Sequence, residues 1–189
     1  MKVSRGAKLL ILGVLLVVID QVSKVLVKTG MDLGQQIYVI GEWFRLCFIE
    51  NEGMAFGMKF GGMAGKLCLT IFRIGLFSAL VWWIRSLDRK GKAPVGVLVG
   101  LTLITAGAFG NIIDSIFYGV IWDYAPLMFG KVVDMLYFPL IRDSLGNTIF
   151  FQPVFNFADS CVTVGAFYLI LFQWKLFCGP SDKENGNEM

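Results

Sequence analysis

Histidine is absent from this 189-residue chain. That absence excludes the Ser-His-Asp triad, the Cys-His dyad and the HExxH zinc site together, because each needs an imidazole. Charge is also scarce: Asp, Glu, Lys and Arg make up 16% of the residues, against about 25% in soluble domains. No basic block stands out and the formal net charge is +3, so nucleic acid is not expected as a partner. The four cysteines, Cys47, Cys68, Cys161 and Cys178, form no CxxC. Scattered and flanked by apolar residues, they read as packing groups rather than as a disulfide framework or a thiolate metal site. No small-x-small cleavage site follows the apolar N-terminal run; Asp20, Gln21 and Lys24 do. The run therefore reads as a retained first helix, not a removable signal peptide. Internal repeats and low-complexity stretches are lacking as well.

What the chain does have is apolar length. Hydrophobic residues make up 56% of it, and four runs, about 8–28, 67–84, 95–119 and 154–177, can each cross roughly 30 Å of hydrocarbon. The expected fold is an all-α membrane protein of four transmembrane helices. One integral membrane domain covers 1–178, and a polar cytoplasmic tail, 179–189, is expected to be disordered. With the N-terminus inside, the inner flanks hold Lys2, Arg5, Lys8, Arg85, Arg89, Lys90, Lys92, Lys175 and Lys183. The longer outer loops hold Lys28, Arg45, Lys59, Lys66, Lys131 and Arg142. The bias puts both termini in the cytoplasm. Residues 37–60, rich in β-branched and aromatic side chains broken by Gly, read as a small extracytoplasmic β element between helices one and two. The connection between helices three and four is too long for a hairpin and too apolar for disorder; it is expected to lie on the membrane surface. Trp43, Phe44, Phe48 and Phe56 are candidates either to close over a site or to anchor the loop, and Trp82 and Trp83 read as inner interfacial anchors.

Polar residues interrupt these runs at one depth. Asn111 and Asp114 sit three apart near the outer end of the third run, Asn156 and Asp159 three apart near the outer start of the fourth, and Asp20 and Lys24 four apart in the first. Each pair shares a helix face. An ionised residue at the centre of a bilayer costs about 2.5–3.5 kcal/mol on insertion scales, so their convergence needs a joint explanation. One is a structural network with Asp20 paired to Lys24; the other is a polar site at the mouth of the bundle. Without histidine, two carboxylates sharing one proton are the natural hydrolytic machinery: the ionised one activates water and the protonated one serves the carbonyl and the leaving nitrogen. Asp159 is the natural first member. Spacing leaves Asp114, Asp123 and Asp134 open as the second.

The stretches "DQVSK" (Asp20 to Lys24), "ENEGMAFG" (Glu50 to Gly57), "GNIID" (Gly110 to Asp114), "VVDM" (Val132 to Met135) and "FNFAD" (Phe155 to Asp159) occur in that order. Together they resemble the bacterial lipoprotein signal peptidases, or signal peptidase II, over residues 10 to 170. The resemblance implies an intramembrane aspartic endopeptidase of the bacterial inner membrane, with its site at the outer face. It would cleave diacylglyceryl-modified prolipoproteins before the lipidated cysteine, act as a monomer without metal or cofactor, contact membrane lipid and bind globomycin-like inhibitors. By that resemblance Asp134 and Asp159 are the catalytic pair. Asp20, Lys24, Asn51, Gly53, Phe56, Gly110, Asn111, Asp114, Asn156 and Ala158 are supporting or substrate-binding residues. Two departures stand out. The family usually has Arg after the acid of its "GNxxD" motif, where this chain has Ser115, with Arg73 or Arg142 available to replace it. The segment from "GNIID" to "VVDM" is also longer than usual, and Asp123 is expected to be solvated within it. The rival readings are a small transporter or scaffold with a structural polar network, and a Ser-Lys peptidase using Ser23 or Ser160 with Lys24.

Overall fold

A computed structural model of the chain describes residues 3–52, 62–91, 93–142, 148–150 and 153–173. Within them the first helix, α1, covers Arg5–Gly30. Its start is capped by Ser4, whose hydroxyl accepts from the Ala7 amide at 3.2 Å, satisfying one of the free N–H groups of the first turn. A hairpin follows, β1 (Gln36–Ile40) and β2 (Phe44–Asn51), in the region read as a β element. Helix α2 runs from Gly62 to Lys90 and ends at Gly91, whose φ of +67° suits glycine. Pro94 then opens α3 (Val95–Ile113), where a missing N–H costs nothing.

Helix α3 continues as a π-helical turn, Asp114–Tyr118, and closes with Gly119–Ile121. Beyond it the chain doubles back. The amides of Met128 and Gly130 donate to the carbonyls of Ile116 and Ser115, at 3.0 and 2.9 Å, and Thr70 of α2 donates to the Met128 carbonyl at 3.3 Å. The widened turn therefore has its loose carbonyls satisfied by its own connection. The returning segment forms β3 (Val132–Tyr137). A short hairpin, β4 (Ile141–Arg142) with β5 (Thr148–Phe150), precedes β6 (Val154–Phe155) and the last helix, α4 (Phe157–Phe172).

The main sheet is antiparallel with strand order β1-β2-β3-β6. The connection between α3 and α4 thus joins the hairpin after α1 in one sheet. Register puts Ile49 opposite Asp134 and Asn51 opposite Val132. The fourth apolar run also differs from expectation: residues 154 and 155 are strand, and the helix begins only at Phe157. Its 16 described residues rise about 24 Å. Among the described residues three helices are long and apolar enough to cross a membrane, Arg5–Gly30, Gly62–Lys90 and Val95–Ile121. Their outward faces, with Leu10, Val14, Val18, Phe72, Leu76 and others exposed, form an apolar belt suited to lipid.

The central element is α3, against which α1, α2 and α4 all pack. Its contact with α4 is backbone-close: a Cβ on Gly107 would strike the Ala158 carbonyl, and one on Gly165 would come within 2.8 Å of the Gly100 carbonyl. Small residues permit that approach inside a membrane. Two apolar clusters bracket α3. One, at the Pro94 end of α3, joins Val97, Leu101 and Leu169 with Leu80, Trp83 and Leu87; the other joins Val27, Phe48, Tyr118, Val133 and Met135 under the sheet. Trp83 is therefore a packing residue, while Trp82 stays 71% exposed, as an anchor would. Phe44 stacks on Phe138, which stacks on Phe155, with Trp43 tilted against Phe138, and Phe48 is buried in the core. An apolar cleft of about 550 Å³ opens between α1 and α2 with α3 as its floor, lined by Val14, Val17, Phe77, Val81, Ala106 and Phe109 among others.

Candidate active site

Between the two apolar clusters lies a buried polar layer, built outward from Lys24. Its ammonium is 2.9 Å from Asp20 Oδ2 and 2.8 Å from Asp114 Oδ2, and it donates to Asn111 Oδ1 at 2.9 Å. Three acceptors use its three protons, and the residue is completely buried. Asp20, one turn before Lys24, accepts from the Ala158 amide at 2.9 Å through Oδ1, tying α1 to the start of α4. Gly110 makes room for this: a Cβ there would run into the Asp20 carboxylate. Asp114 also accepts from Gln21 at 2.9 Å and from the Val133 amide at 3.4 Å. These two acids are thus counterbalanced by one shared cation.

Asp134 and Asp159 are held differently. Asn156 is the N-cap of α4, and its side-chain oxygen accepts from the Asp159 amide at 2.9 Å while Asp159 Oδ2 accepts from the Asn156 amide at 3.3 Å. This reciprocal capping box explains locally why an amide and an acid stand three apart at the head of an apolar helix. Asn156 lies at the cap and not on the helix face. Its Nδ2 turns to Asp134 Oδ1 at 2.7 Å and to Asn111 Oδ1 at 3.1 Å. Asn111 Nδ2 donates to Asp159 Oδ1 at 2.8 Å, and Asn51 Nδ2 to Asp134 Oδ2 at 3.0 Å. The pair from β3 and α4 therefore meets around one asparagine, its hydrogen bonds supplied by amide groups. Burial, and then the negative charge of Asp159, push the Asp134 carboxyl up to about 7, against the pull of the Asn51 and Asn156 hydrogen bonds.

The other expected residues fall as follows. Asn111, Asp114, Asn156, Ala158, Asp20 and Lys24 are all buried in this layer, and Gly110 and Asn51 border it. Asp123 is exposed in the turn after α3, far from a shared proton. Gly53 and Phe56 lie outside the described residues, as do Cys178, the side chain of Arg142 and the tail 179–189. Ser23 donates to the Asp20 carbonyl at 2.7 Å and Ser160 to the Asn156 carbonyl at 3.0 Å. With Lys24 fully engaged, neither serine has a lysine base.

Sequence reading missed Gln21, which donates to Asp20, Asp114 and the Gly110 carbonyl and accepts from Tyr118 at 3.2 Å. Its place inside "DQVSK" was the available signal. It also missed Glu50, which pairs with Lys28 and with Lys131 at 3.3 Å. Burial opposes the Glu50 charge, but the hydrogen bonds and charges of Lys28 and Lys131 outweigh it and hold the carboxyl below the usual range.

With this geometry in hand, comparison with known proteins is decisive. Residues 12–175 match the sequence model of the family described as signal peptidase (SPase) II. The chain belongs to the signal peptidase II family. A lipoprotein signal peptidase of Porphyromonas gingivalis is 41% identical over 90% of this chain and 84% of its own length. That of Amoebophilus asiaticus is 37% identical over 94% and 82%, and that of Chlorobaculum tepidum 33% over 88% and 94%. A bacterial membrane enzyme solved by the in meso method at 2.3 Å superposes with a TM-score of 0.66 at 27% identity, covering 96% of this chain and 94% of that one. Membership in signal peptidase II makes the chain an aspartic-type membrane protease, with its apolar helices as the anchor.

Proposed function

We infer that this protein is a lipoprotein signal peptidase whose chemistry rests on Asp134 and Asp159. The observation that carries the reading is the contrast between the two kinds of acid in the polar layer. Asp20 and Asp114 share the Lys24 ammonium; Asp134 and Asp159 share Asn156. Only the second pair is left to divide a proton at neutral pH. Asp159 is then the general base. It takes a proton from water, the hydroxide oxygen bonds to the scissile carbonyl carbon, and Asp134 gives its proton to the carbonyl oxygen. Collapse of the resulting diol breaks the carbon–nitrogen bond: the leaving nitrogen receives the proton that Asp159 gained, and one diol hydroxyl returns its proton to Asp134 as the carbonyl reforms.

The substrate is a prolipoprotein carrying a diacylglyceryl cysteine, cut just before that residue. Its signal helix or acyl chains would pack in the apolar cleft between α1 and α2, so that remote binding sets the scissile carbonyl beside the acid pair. The distribution of Lys and Arg supports four spans with both termini in the cytoplasm, which puts the sheet and the acid pair at the outer face of the bacterial inner membrane. The protein acts as a monomer, and globomycin-like peptides are expected to compete with substrate.

The test is purified protein given a diacylated substrate and its unlipidated counterpart side by side. Cleavage of the lipidated substrate alone is expected. Asp134→Asn and Asp159→Asn keep size and hydrogen bonding, and each should insert normally yet lower cleavage by at least about 10²–10⁴-fold. Normal turnover by either variant would overturn the assignment.

A further inference from the structure

The family arginine after "GNxxD" is replaced here by Ser115, and Ser115 is completely buried against the polar layer. Its hydroxyl donates to the Asn111 carbonyl at 2.9 Å and accepts from Nη1 of Arg73 at 3.3 Å. Asn111 in turn holds Asp159. Arg73 comes from α2, a helix otherwise turned mainly to lipid, whose inward stripe is Lys66, Thr70 and Arg73. Those residues are four and three apart and lie on one face. A guanidinium on an apolar transmembrane helix is costly and marks function. Its charge is within electrostatic reach of acids of three other elements: Asp159 of α4, Asp134 of β3 and Asp114 of the π-helical turn.

We propose that Arg73, seated on the Ser115 hydroxyl, is the positioning cation of the acid pair, supplied from α2 in place of the family arginine of α3. This rests on the reading of Asp134 and Asp159 as the catalytic pair. Lys24 cannot take the role, since its three protons are committed to Asp20, Asp114 and Asn111. Lys66 donates to the Glu52 carbonyl at 2.7 Å. The small side chain at 115 is what admits the incoming guanidinium; an arginine at both positions would bring two like charges together. Arg73 then stabilises the singly ionised state of the pair, and its planar fork fixes where that charge sits.

The charged groups around the pair are Arg73 of α2, which faces Asp159, Asp134 and Asp114, and Lys24 of α1, which acts on Asp134 and is shared by Asp20 and Asp114, with Lys66 of α2 facing Arg73 and Asp114. Removing Arg73 takes away an attraction for the ionised form, so the pH profile of cleavage must move toward higher pH.

The experiment measures kcat/KM against pH for purified wild type, Arg73→Gln, Arg73→Lys and Ser115→Ala with a diacylated substrate. Arg73→Gln should lose at least about tenfold at neutral pH and shift its profile upward by about one pH unit. Arg73→Lys should keep the wild-type profile position with a lower kcat, and Ser115→Ala should shift part of the way. A folded Arg73→Gln whose profile stays in place overturns the proposal, whatever its rate. If Arg73→Gln fails to accumulate, Ser115→Ala with unchanged rate and profile overturns it instead. An inactive wild type would overturn the broader reading, whereas an active wild type with an insensitive Arg73 would overturn only this one.

Discussion

Three buried acids and a partly buried fourth, Asp159, within one small layer could have been four copies of the same role. Their partners separate them. Asp114 was a candidate for the second catalytic acid from spacing alone, yet its carboxylate is occupied by Lys24, Gln21 and the Val133 amide. Asp134 has amides for partners and an acid for a neighbour, which is the environment that retains a proton. The retained proton has a consequence for stability. A carboxyl that binds its proton more tightly when folded stabilises the fold fully below its unfolded value near 3.8, and that contribution is lost as pH rises toward about 7. Wild type should therefore lose thermal stability between about pH 4 and pH 7. Asp134→Asn, which cannot ionise, should flatten that slope; a melting-temperature series in detergent checks it.

At the scale of the element, the start of α4 does two jobs with one residue. Asn156 caps the helix with its oxygen and binds Asp134 and Asn111 with its nitrogen. Asn156→Ser keeps a capping oxygen and removes the amide donor, so cleavage should fall by about 10²-fold with the helix start retained. Asn156→Ala should lose the cap as well and melt lower than the serine variant by about 1 kcal/mol of stability. Paired melting and turnover measurements separate the two contributions. The elements also mark where sequence reading reached and where it stopped. The helices were legible because apolar length is a local property, and "FNFAD" was legible as a site because its polar residues violate that length. The strand nature of "VVDM" was not, since six mostly buried residues carry no alternation and their pairing partner lies some eighty positions away in β2. The π-helical turn was likewise invisible, because it depends on amides of the returning loop at Met128 and Gly130. Arg73 showed itself as an anomaly in an apolar run, but only the fold brings it to Ser115.

For the whole molecule, the decisive contact is α3 against α4, since it carries Asn111 to Asp159. Gly107→Val would drive a branched side chain into the Ala158 carbonyl and Val162. It should cost about 1–3 kcal/mol and abolish cleavage by parting the two helices. Gly75→Ala, where an added Cβ meets nothing within 4 Å, should leave both melting and turnover unchanged. The half of the bundle away from the sheet has its own fastening, with Arg5 on Asp88 at 2.7 Å and Ser4 capping α1. That leaves the half where the sheet rests on the helices as the part built around the acids.

The pairing of Asp20 with Lys24 inside a single helix has a consequence for biosynthesis. Helix α1 emerges from the ribosome already carrying the counterion for its own acid, so Asp20 can enter the bilayer paired before any neighbour exists. Helix α3 has no such provision: the ammonium paired with Asp114 belongs to α1. The order of translation therefore delivers the ammonium first and the carboxylate that depends on it second, and a circularly permuted chain with α3 ahead of α1 would have to insert a bare charge.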